Sequence, residues 1–238
     1  MQKNKASILC TMSLPQTAIQ NLNEENISVD YLSFIHVSSA LQPELVQKIK
    51  NLSEQTAIVV FTSSHAVKIT TGILKNHKPS WRIYCISGVT EKETAAFFGK
   101  ESIAGTAIDA LRLAKKIAGD EIREITFFCG DQRRDELPSH LTLHKILVNE
   151  ILTYKTQLTP QKIYKKYNGI LFFSPSAVDS FFSVNEVDKA TMLFAIGNTT
   201  ANAIKKHSLN KIIISELPNK ERLIKSAAEY FQTNPINF

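Results

Sequence analysis

The sequence predicts an α/β fold made of two related parallel-sheet domains. Apolar, β-rich runs alternate along the chain with segments of helical period, the pattern of a parallel sheet covered by helices on both faces. Two stretches, 61–67 and 172–178, also match each other without a gap. Phe, Ser, Ala and Val agree between them, and each follows an apolar run and opens a segment of helical character. This internal match favours two related α/β halves over one large domain.

Nine runs have the composition of β-strands. Most are short and nearly continuous in apolar residues, as strands buried on both faces of a parallel sheet are. The predicted strands span 7–11, 27–34, 57–62, 82–87, 124–129, 147–156, 169–173, 192–196 and 211–215.

Amphipathic segments separate most of these strands. In 41–52, apolar residues recur at helical spacing at Leu45, Ile49 and Leu52, and 107–118 shows the same period. Each segment therefore predicts a helix that packs one face on a sheet.

The two longest predicted strands, 27–34 and 147–156, interrupt the alternation and bracket the middle of the chain. The second copy of the internal match is one strand-helix unit short unless the N-terminal strand joins its sheet. We therefore expect a discontinuous first domain, 1–36 and 160–238, and an inserted second domain, 37–159.

A paired, two-stranded linker is expected between the domains, with strands near 27–36 and 147–158. Two chain crossings of this kind permit hinge motion, and a ligand would bind in the cleft.

The bulk composition is that of an ordinary globular protein, with 43% hydrophobic and 21% charged residues. No apolar run approaches the about 18 residues of a membrane span, and the apolar stretch before Pro15 is too short for a signal peptide core. The three cysteines, Cys10, Cys85 and Cys129, each lie in a strand-like run, which indicates buried, reduced thiols. We expect a cytoplasmic protein without membrane contact.

The net charge of +6 attracts polyanions in general. The basic residues are scattered in pairs, and neither a zinc-finger spacing nor the aromatic and basic signature of an RNA-binding sheet is present. Nucleic acid is therefore not expected as a partner.

The matched stretches each supply a strand-to-helix turn suited to anions. Such turns present backbone N–H groups at the positive end of a helix. Ser63 and Ser174 also fit the role of helix N-caps, and the two roles are compatible. The candidate anion-binding residues here are Thr62, Ser63, Ser64 and His65 in the first copy and Ser174, Pro175 and Ser176 in the second.

Three further turns carry glycine after a strand. In the turn that begins at Gly197, Asn198 precedes two hydroxyl residues, Thr199 and Thr200, at a helix start, an arrangement that cradles phosphate or carboxylate. The related turn from Gly88 to Thr94 is expected to be longer. The loop from Gly130 to Arg133 offers an arginine for a bidentate carboxylate contact, with a solvated charged turn as an equal alternative.

Motifs for cofactors and metals are missing from the sequence. No glycine spacing gives a dinucleotide fingerprint or a P-loop, and no serine stands in a nucleophile elbow. His140 and His144 are four residues apart on a predicted helix, but no third ligand is evident, so a solvated helix face is favoured over zinc. We expect neither a cofactor nor a metal.

Taken together, the motifs make the chain resemble uroporphyrinogen-III synthase over essentially its whole length. The resemblance rests on the order and spacing of stretches 61–67, 130–133, 154–156, 173–178 and 195–201. Two departures stand out: Thr11, Met12 and Ser13 occupy the place where the family often has Arg, and His65 replaces a common Asn.

The resemblance implies a substrate, hydroxymethylbilane, a linear tetrapyrrole with eight carboxylates. The enzyme expels the terminal hydroxyl as water, inverts ring D through a spiro intermediate and closes the macrocycle to uroporphyrinogen III. It implies that Tyr154 hydrogen-bonds the leaving hydroxyl, although an ordinary aromatic on a linker strand is an equally good interpretation of the residue. We expect a monomer that receives its substrate from hydroxymethylbilane synthase.

Two other classes of protein compete with this hypothesis. One is a two-lobed cytosolic module that binds or senses a small anion without turnover. The other is a nucleotide-using α/β enzyme, which the absent glycine fingerprints disfavour.

Overall fold

The structure is a computed structural model that describes residues 5–40 and 42–234. The chain divides into two compact units, which we call unit 1 (1–36 and 157–238) and unit 2 (37–156). Each unit is built on its own β-sheet.

Unit 1 contains a five-stranded sheet in which all neighbouring strands are parallel. Its spatial order is β2-β1-β9-β10-β11. The strands are β1 (Ala6–Cys10), β2 (Ile27–Tyr31), β9 (Gly169–Phe172), β10 (Met192–Ala195) and β11 (Ile212–Ile214), and the helices are α1 (Gln16–Glu24), α7 (Pro175–Phe182), α8 (Asn198–His207) and α9 (Lys220–Thr233).

Unit 2 is based on a six-stranded sheet with the order β3-β8-β7-β4-β5-β6. The five strands from β8 to β6 pair in parallel. The strands are β3 (Ile35–Ser39), β4 (Ala57–Phe61), β5 (Trp81–Ile86), β6 (Ile103–Ala107), β7 (Glu124–Gly130) and β8 (Leu147–Leu158), and the helices are α2 (Pro43–Ser53), α3 (Ser64–Leu74), α4 (Val89–Phe98), α5 (Ala110–Gly119) and α6 (Glu136–Leu143).

Both sheets have the doubly wound arrangement of flavodoxin-like folds, in which five parallel strands lie in the order 2-1-3-4-5. In unit 1 this order follows the chain directly. In unit 2 the same positions are taken by β8, β7, β4, β5 and β6, so the last two strands along the chain occupy the place of the first two. The matched stretches of the sequence lie at the same position in both sheets, directly after β4 and β9.

Apolar side chains cover both faces of each sheet. In unit 1, Leu22 and Leu223 from α1 and α9 pack on one face and Phe181 and Ile204 from α7 and α8 on the other. In unit 2, α2, α3 and α4 supply one cluster and α5 and α6 the other. Strands β9 and β10 are buried at every residue, as expected for central parallel strands.

The prediction of a single strand over 27–34 is wrong. Strand β2 ends at Tyr31, and the linker strand β3 begins at Ile35 after a turn in which the Ser33 hydroxyl donates to the Ile35 carbonyl at 2.7 Å. β2 pairs with β1 along its whole length and is therefore part of the sheet of unit 1. The linker partners are instead β3 and β8, which run antiparallel, since Ala40 N–H bonds Thr153 O and Thr159 N–H bonds Phe34 O.

Strand β6 is missing from the sequence prediction because Ile103-Ala-Gly-Thr-Ala107 is rich in small residues and lies at the edge of its sheet. Because β6 extends to Ala107, the helix predicted over 107–118 is shorter than expected. It begins at Ala110, after the N-cap residue Asp109. The helix predicted over 41–52 is α2, whose first turn starts at Pro43, and Leu41 lies outside the described residues. Among the described helices, none is long and apolar enough to cross a membrane.

Candidate functional site

The candidate site residues lie at the carboxyl ends of the parallel strands in each unit. In doubly wound sheets, ligands bind outside these ends at the point where the strand order reverses. That point falls between β1 and β9 in unit 1 and between β7 and β4 in unit 2. In unit 2 it brings the Gly130 loop beside the turn from Thr62 to His65.

Ser63 and Ser174 cap the helices that follow the matched strands. The Ser63 hydroxyl accepts a hydrogen bond from His65 N at 3.2 Å, and the Ser174 hydroxyl accepts one from Ala177 N at 3.2 Å. The capping interpretation is therefore confirmed. The start of α7 offers fewer backbone donors than expected, since Pro175 has no N–H and the N–H of Ala177 is taken by the cap.

Glycine rather than a capping side chain precedes α4 and α8. Gly88 adopts φ 91°, a backbone conformation that favours glycine, and Gly197 is extended. Among the described residues, no side chain caps the first-turn N–H groups of either helix. Asn198 and Thr199 lie in the first turn of α8.

Two threonines do not occupy the positions that the sequence suggested. Helix α4 begins at Val89, directly after Gly88, so the expectation of a longer first turn is wrong. Thr94 lies inside α4 with 0% exposure, and its hydroxyl donates to Thr90 O at 2.8 Å, so that hydroxyl is not presented to a ligand. Thr90 is the positional counterpart of Thr199, and the shared spacing Gly-x-Thr was the signal that could have identified it. Thr200 is only 2% exposed.

Arg133 is engaged by carboxylates of the protein itself. Its Nε donates to Glu150 Oε2 at 2.8 Å and its second terminal nitrogen lies 2.7 Å from Glu150 Oε1, while the first bonds Asp135. The loop that carries it is closed by a bond from Arg133 N to Gly130 O. The guanidinium thus forms its bidentate contact within unit 2, and the interpretation of an arginine held open for a substrate carboxylate does not match this geometry.

Tyr154 lies at the centre of the predicted residues of unit 2. A β-bulge sets its direction, because Cys129 pairs with Leu152 while Gly130 pairs with Tyr154, which leaves Thr153 as an extra residue on β8. Ile151 and Tyr154 therefore pack on the same apolar cluster, although residues three apart on a regular strand face opposite sides.

The ring of Tyr154 rests directly on the backbone of Gly130. A Cβ atom added at Gly130 would overlap Cε2 and Cζ of Tyr154. The His65 ring lies on another side, with its centroid 5.6 Å from that of Tyr154. Burial raises the pKa of the Tyr154 phenol above 10.0, and a hydrogen bond with the Ser63 hydroxyl partly offsets this. The phenol therefore keeps its proton at neutral pH and can donate a hydrogen bond.

The three cysteine thiols lie in the last two residues of β1, β5 and β7, and they are unreactive because they are buried. All are free and buried, as expected from the sequence. Burial raises the pKa of Cys10 to about 12 and those of Cys85 and Cys129 to about 11. Since the thiolate is the nucleophile, none of them is poised for covalent catalysis at neutral pH.

His140 in α6 and His144 at its C-cap form a tilted ring pair. Their ring centroids are 4.4 Å apart, and His144 Nδ1 lies 2.8 Å from His140 O. Burial lowers the pKa of His140, with further contributions from His144 and Lys115. In the described part of the chain, no group of three or more His, Cys, Asp or Glu is placed to hold a metal ion.

Two doubly wound units with polar turns at the carboxyl ends of their strands define an α/β protein of the two-domain, parallel-sheet class. A profile of the family HEM4, uroporphyrinogen-III synthase HemD, matches residues 16–225. The chain therefore belongs to the uroporphyrinogen-III synthase family, whose members are cyclising lyases of tetrapyrrole biosynthesis that act on hydroxymethylbilane.

Solved structures of this family share the fold. A mutant uroporphyrinogen III synthase from the extremely thermophilic bacterium Thermus thermophilus has a TM-score of 0.65 at 9% identity, covering 96% of this chain and 99% of that one. The uroporphyrinogen-III synthetase of Helicobacter pylori 26695 has a TM-score of 0.61 at 17% identity, covering 94% and 99%. A search of curated protein sequences found no match.

Proposed function

We propose that the strand ends of both units bind the carboxylates of hydroxymethylbilane and that Tyr154 assists departure of its terminal hydroxyl. The observation that carries the proposal is the position of Tyr154. The bulge places its side chain in the same apolar cluster as Ile151, beside Gly130, His65 and Ser63.

The carboxylate sites are proposed at the helix starts that follow β4, β5, β9 and β10. Backbone N–H groups there combine fixed donors with the positive end of the helix dipole. The starts of α4 and α8, where glycine takes the place of a capping side chain, are the strongest of these. Glu91 in the first turn of α4 opposes an anion, which favours α8 over α4.

The proposed chemical role of Tyr154 is that of a hydrogen-bond donor or general acid. The C–O bond of the terminal hydroxymethyl group breaks, the pyrrole nitrogen supplies the electron pair, and the hydroxyl leaves as water with a proton from the phenol. General acids contribute typically about 10²–10⁴-fold. Because the pyrrole nitrogen already drives departure of the hydroxyl, we expect the rate contribution of Tyr154 to lie near the lower end of this range. Positioning of the flexible substrate decides which carbon closes the ring.

The first experiment separates this function from a binding module without turnover. Purified protein is supplied with hydroxymethylbilane, and the type I and type III isomers are separated after oxidation. The proposal expects type III in excess. Type I alone, formed at the spontaneous rate, would leave only the binding module.

Tyr154→Phe tests the role of the phenol. The variant keeps the ring that packs on Gly130 and loses the hydroxyl, so we expect normal folding, unchanged product binding and a loss of kcat on the order of tenfold to a hundredfold. The residual product should still be type III. An unchanged kcat would assign Tyr154 to packing alone, and a loss of isomer selectivity at full rate would assign it to positioning of ring D.

Location and partners are proposed on chemical grounds. Three reduced, buried thiols suit the cytoplasm. Because hydroxymethylbilane left alone cyclises without inversion, we propose direct hand-over from hydroxymethylbilane synthase to a monomer of this chain.

A further inference from the structure

The Arg133–Glu150 pair is a bidentate fork in a partly buried position. Two nitrogens of Arg133 contact both oxygens of Glu150, at 2.8 and 2.7 Å, and the two side chains are 26% and 33% exposed. Forks of this geometry are stronger and more specific in direction than single contacts between exposed charges.

This fork fixes one end of the Gly130 loop to β8, and Asp131 fixes the other. Asp131 N donates to Tyr154 O at 3.1 Å, and Thr156 N donates to Asp131 Oδ1 at 2.9 Å. The loop is therefore attached to β8 on both sides of Tyr154, at Glu150 before it and at Thr156 after it.

The attached loop determines where the Tyr154 ring can lie. The ring occupies the space that a side chain at Gly130 would need, so any displacement of Gly130 changes the surface on which the ring rests. The turn from Gly130 to Arg133 is short and closed by its own hydrogen bond at 3.2 Å, so a shift of Arg133 moves Gly130 as well.

We propose that Arg133 and Glu150 are positioning residues for Tyr154 and that Arg133 is not a ligand of a substrate carboxylate. This inference rests on the proposed role of Tyr154. It assigns to Arg133 an effect on kcat that passes through the loop and the phenol, with little effect on substrate affinity.

The two roles for Arg133 give opposite results when Glu150 is changed. Suppose first that the Arg133–Glu150 fork acts as a brace, that is, that it only holds the Gly130 loop in place against β8. Glu150→Gln then breaks the same fork as Arg133→Gln, and both variants lower kcat with KM nearly unchanged. If Arg133 binds a substrate carboxylate, Glu150→Gln frees Nε and the second terminal nitrogen for that task, while Asp135 still holds the first. KM should then fall in Glu150→Gln and rise in Arg133→Gln.

The experiment measures kcat and KM for Arg133→Gln, Glu150→Gln and the double variant of the full chain. We expect about a tenfold loss of kcat in each single variant, because small misplacements of reacting groups cost up to about a hundredfold. The double variant should be no worse than either single one, since contacting residues couple. Arg134→Gln is the matched control: Arg134 lies 3.7 Å from Glu136 and has no contact with Glu150, so its kcat should be unchanged.

A second readout separates failure of the brace from failure of the proposed function. In the Tyr154→Phe background, Arg133→Gln should cause no further loss of kcat. If Tyr154→Phe lowers kcat but Arg133→Gln and Glu150→Gln do not, the brace is overturned and the role of Tyr154 stands. If Tyr154→Phe itself has full kcat, the proposed role of the phenol fails. The brace is then judged by ultraviolet titration of Tyr154, obtained as the difference from Tyr154→Phe: a shifted phenol pKa in Glu150→Gln supports it, and an unchanged one overturns it.

Discussion

Gly130 and Tyr154 depend on each other at the scale of single residues. Gly130 has no strained backbone conformation, and its need for a bare Cα comes from the aromatic ring that lies against it. The ring in turn owes its direction to the extra residue Thr153, whose buried hydroxyl donates to Cys129 O at 2.9 Å. Gly130 is therefore needed because a side chain there would clash with the Tyr154 ring, and not because its backbone conformation requires glycine.

Gly130→Ala should move the Tyr154 ring without unfolding the protein. The new methyl group would overlap the far end of a side chain that can rotate, so the melting temperature should change little while kcat falls by about tenfold or more. Gly72→Ala is the control, because a Cβ there meets nothing within 4 Å inside α3. It should stabilise the protein by about 1 kcal/mol with kcat unchanged. Full kcat in Gly130→Ala would show that the ring position is unimportant.

Single residues were the hardest part to predict from the sequence. Resemblance to the family pointed to Tyr154, but only the bulge, which no local pattern encodes, shows how it faces Gly130. The contact of Arg133 with Glu150 could not be predicted, because Glu150 is 17 residues away along the chain. Thr94 was misplaced because the spacing Gly-x-Thr points to Thr90 instead, which agrees with the start of α4 at Val89.

At the scale of elements, the starts of the helices combine stability with ligand binding. A serine cap satisfies one N–H of the first turn and leaves the dipole of the helix in place. In α3 the capping residue has a second role, since the Ser63 hydroxyl also lowers the pKa of the Tyr154 phenol. Ser174 caps α7 in unit 1, where its hydroxyl accepts from Ala177 N.

Ser63→Ala and Ser174→Ala should therefore have different effects on kcat and similar effects on the free energy of unfolding. Each loses a cap, which costs about 1 kcal/mol in the free energy of unfolding. Only Ser63→Ala should also lower kcat, and both should keep type III product because the backbone donors remain. Asn219→Ala, which removes the cap of α9 at Arg222 N, provides a stability control with unchanged kcat. Equal kcat values in the two serine variants would remove Ser63 from the surroundings of the phenol.

The elements themselves were largely predictable because central parallel strands are continuous apolar runs. β4, β5, β7, β9 and β10 were each found to within about a residue or two. The errors lie at edges, where burial no longer dictates the pattern: β6 is built of small residues, and β3 is a half-exposed linker strand.

At the scale of the whole molecule, the two units each have their own apolar core. The ends of unit 2 leave unit 1 side by side, since Thr159 N–H bonds Phe34 O at 2.9 Å. Adjacent ends of this kind are what allow one domain to be inserted in another without disturbing its host.

The fragment 34–159 should fold alone, because it contains the complete sheet of unit 2 and both of its core clusters. Urea unfolding followed by circular dichroism should give one cooperative transition. A control fragment that ends before β8 lacks a strand between β3 and β7 and should not fold cooperatively. A non-cooperative profile for 34–159 would mean that unit 2 needs the rest of the chain.

The buried thiols predict the alkaline limit of stability. Their native pKa values of about 11 to 12 exceed the ordinary value of 9.0, so the unfolded state loses protons first as the pH rises. Their contribution to the free energy of unfolding is complete below pH 9 and disappears as the pH rises toward the native pKa values. Over that range the free energy of unfolding falls by about 1.4 kcal/mol per pH unit for each thiol. Urea unfolding between pH 8 and 10.5 measures the slope, and Cys85→Ala should reduce it. Equal slopes in the variant and the wild type would assign the effect to other groups.

The strand order of the two units has a consequence for the history of the chain. Read from the N-terminus, β1, β2, β4, β5 and β6 occupy the five sheet positions in turn, and β7, β8, β9, β10 and β11 then occupy them again. This order is the one expected if two tandem copies of a five-stranded domain exchanged their last three strands, in which case the apparent insertion is a product of that exchange. Strands β1, β2, β4, β5 and β6 would then be one full set, the sheet of an unexchanged, single-copy ancestor.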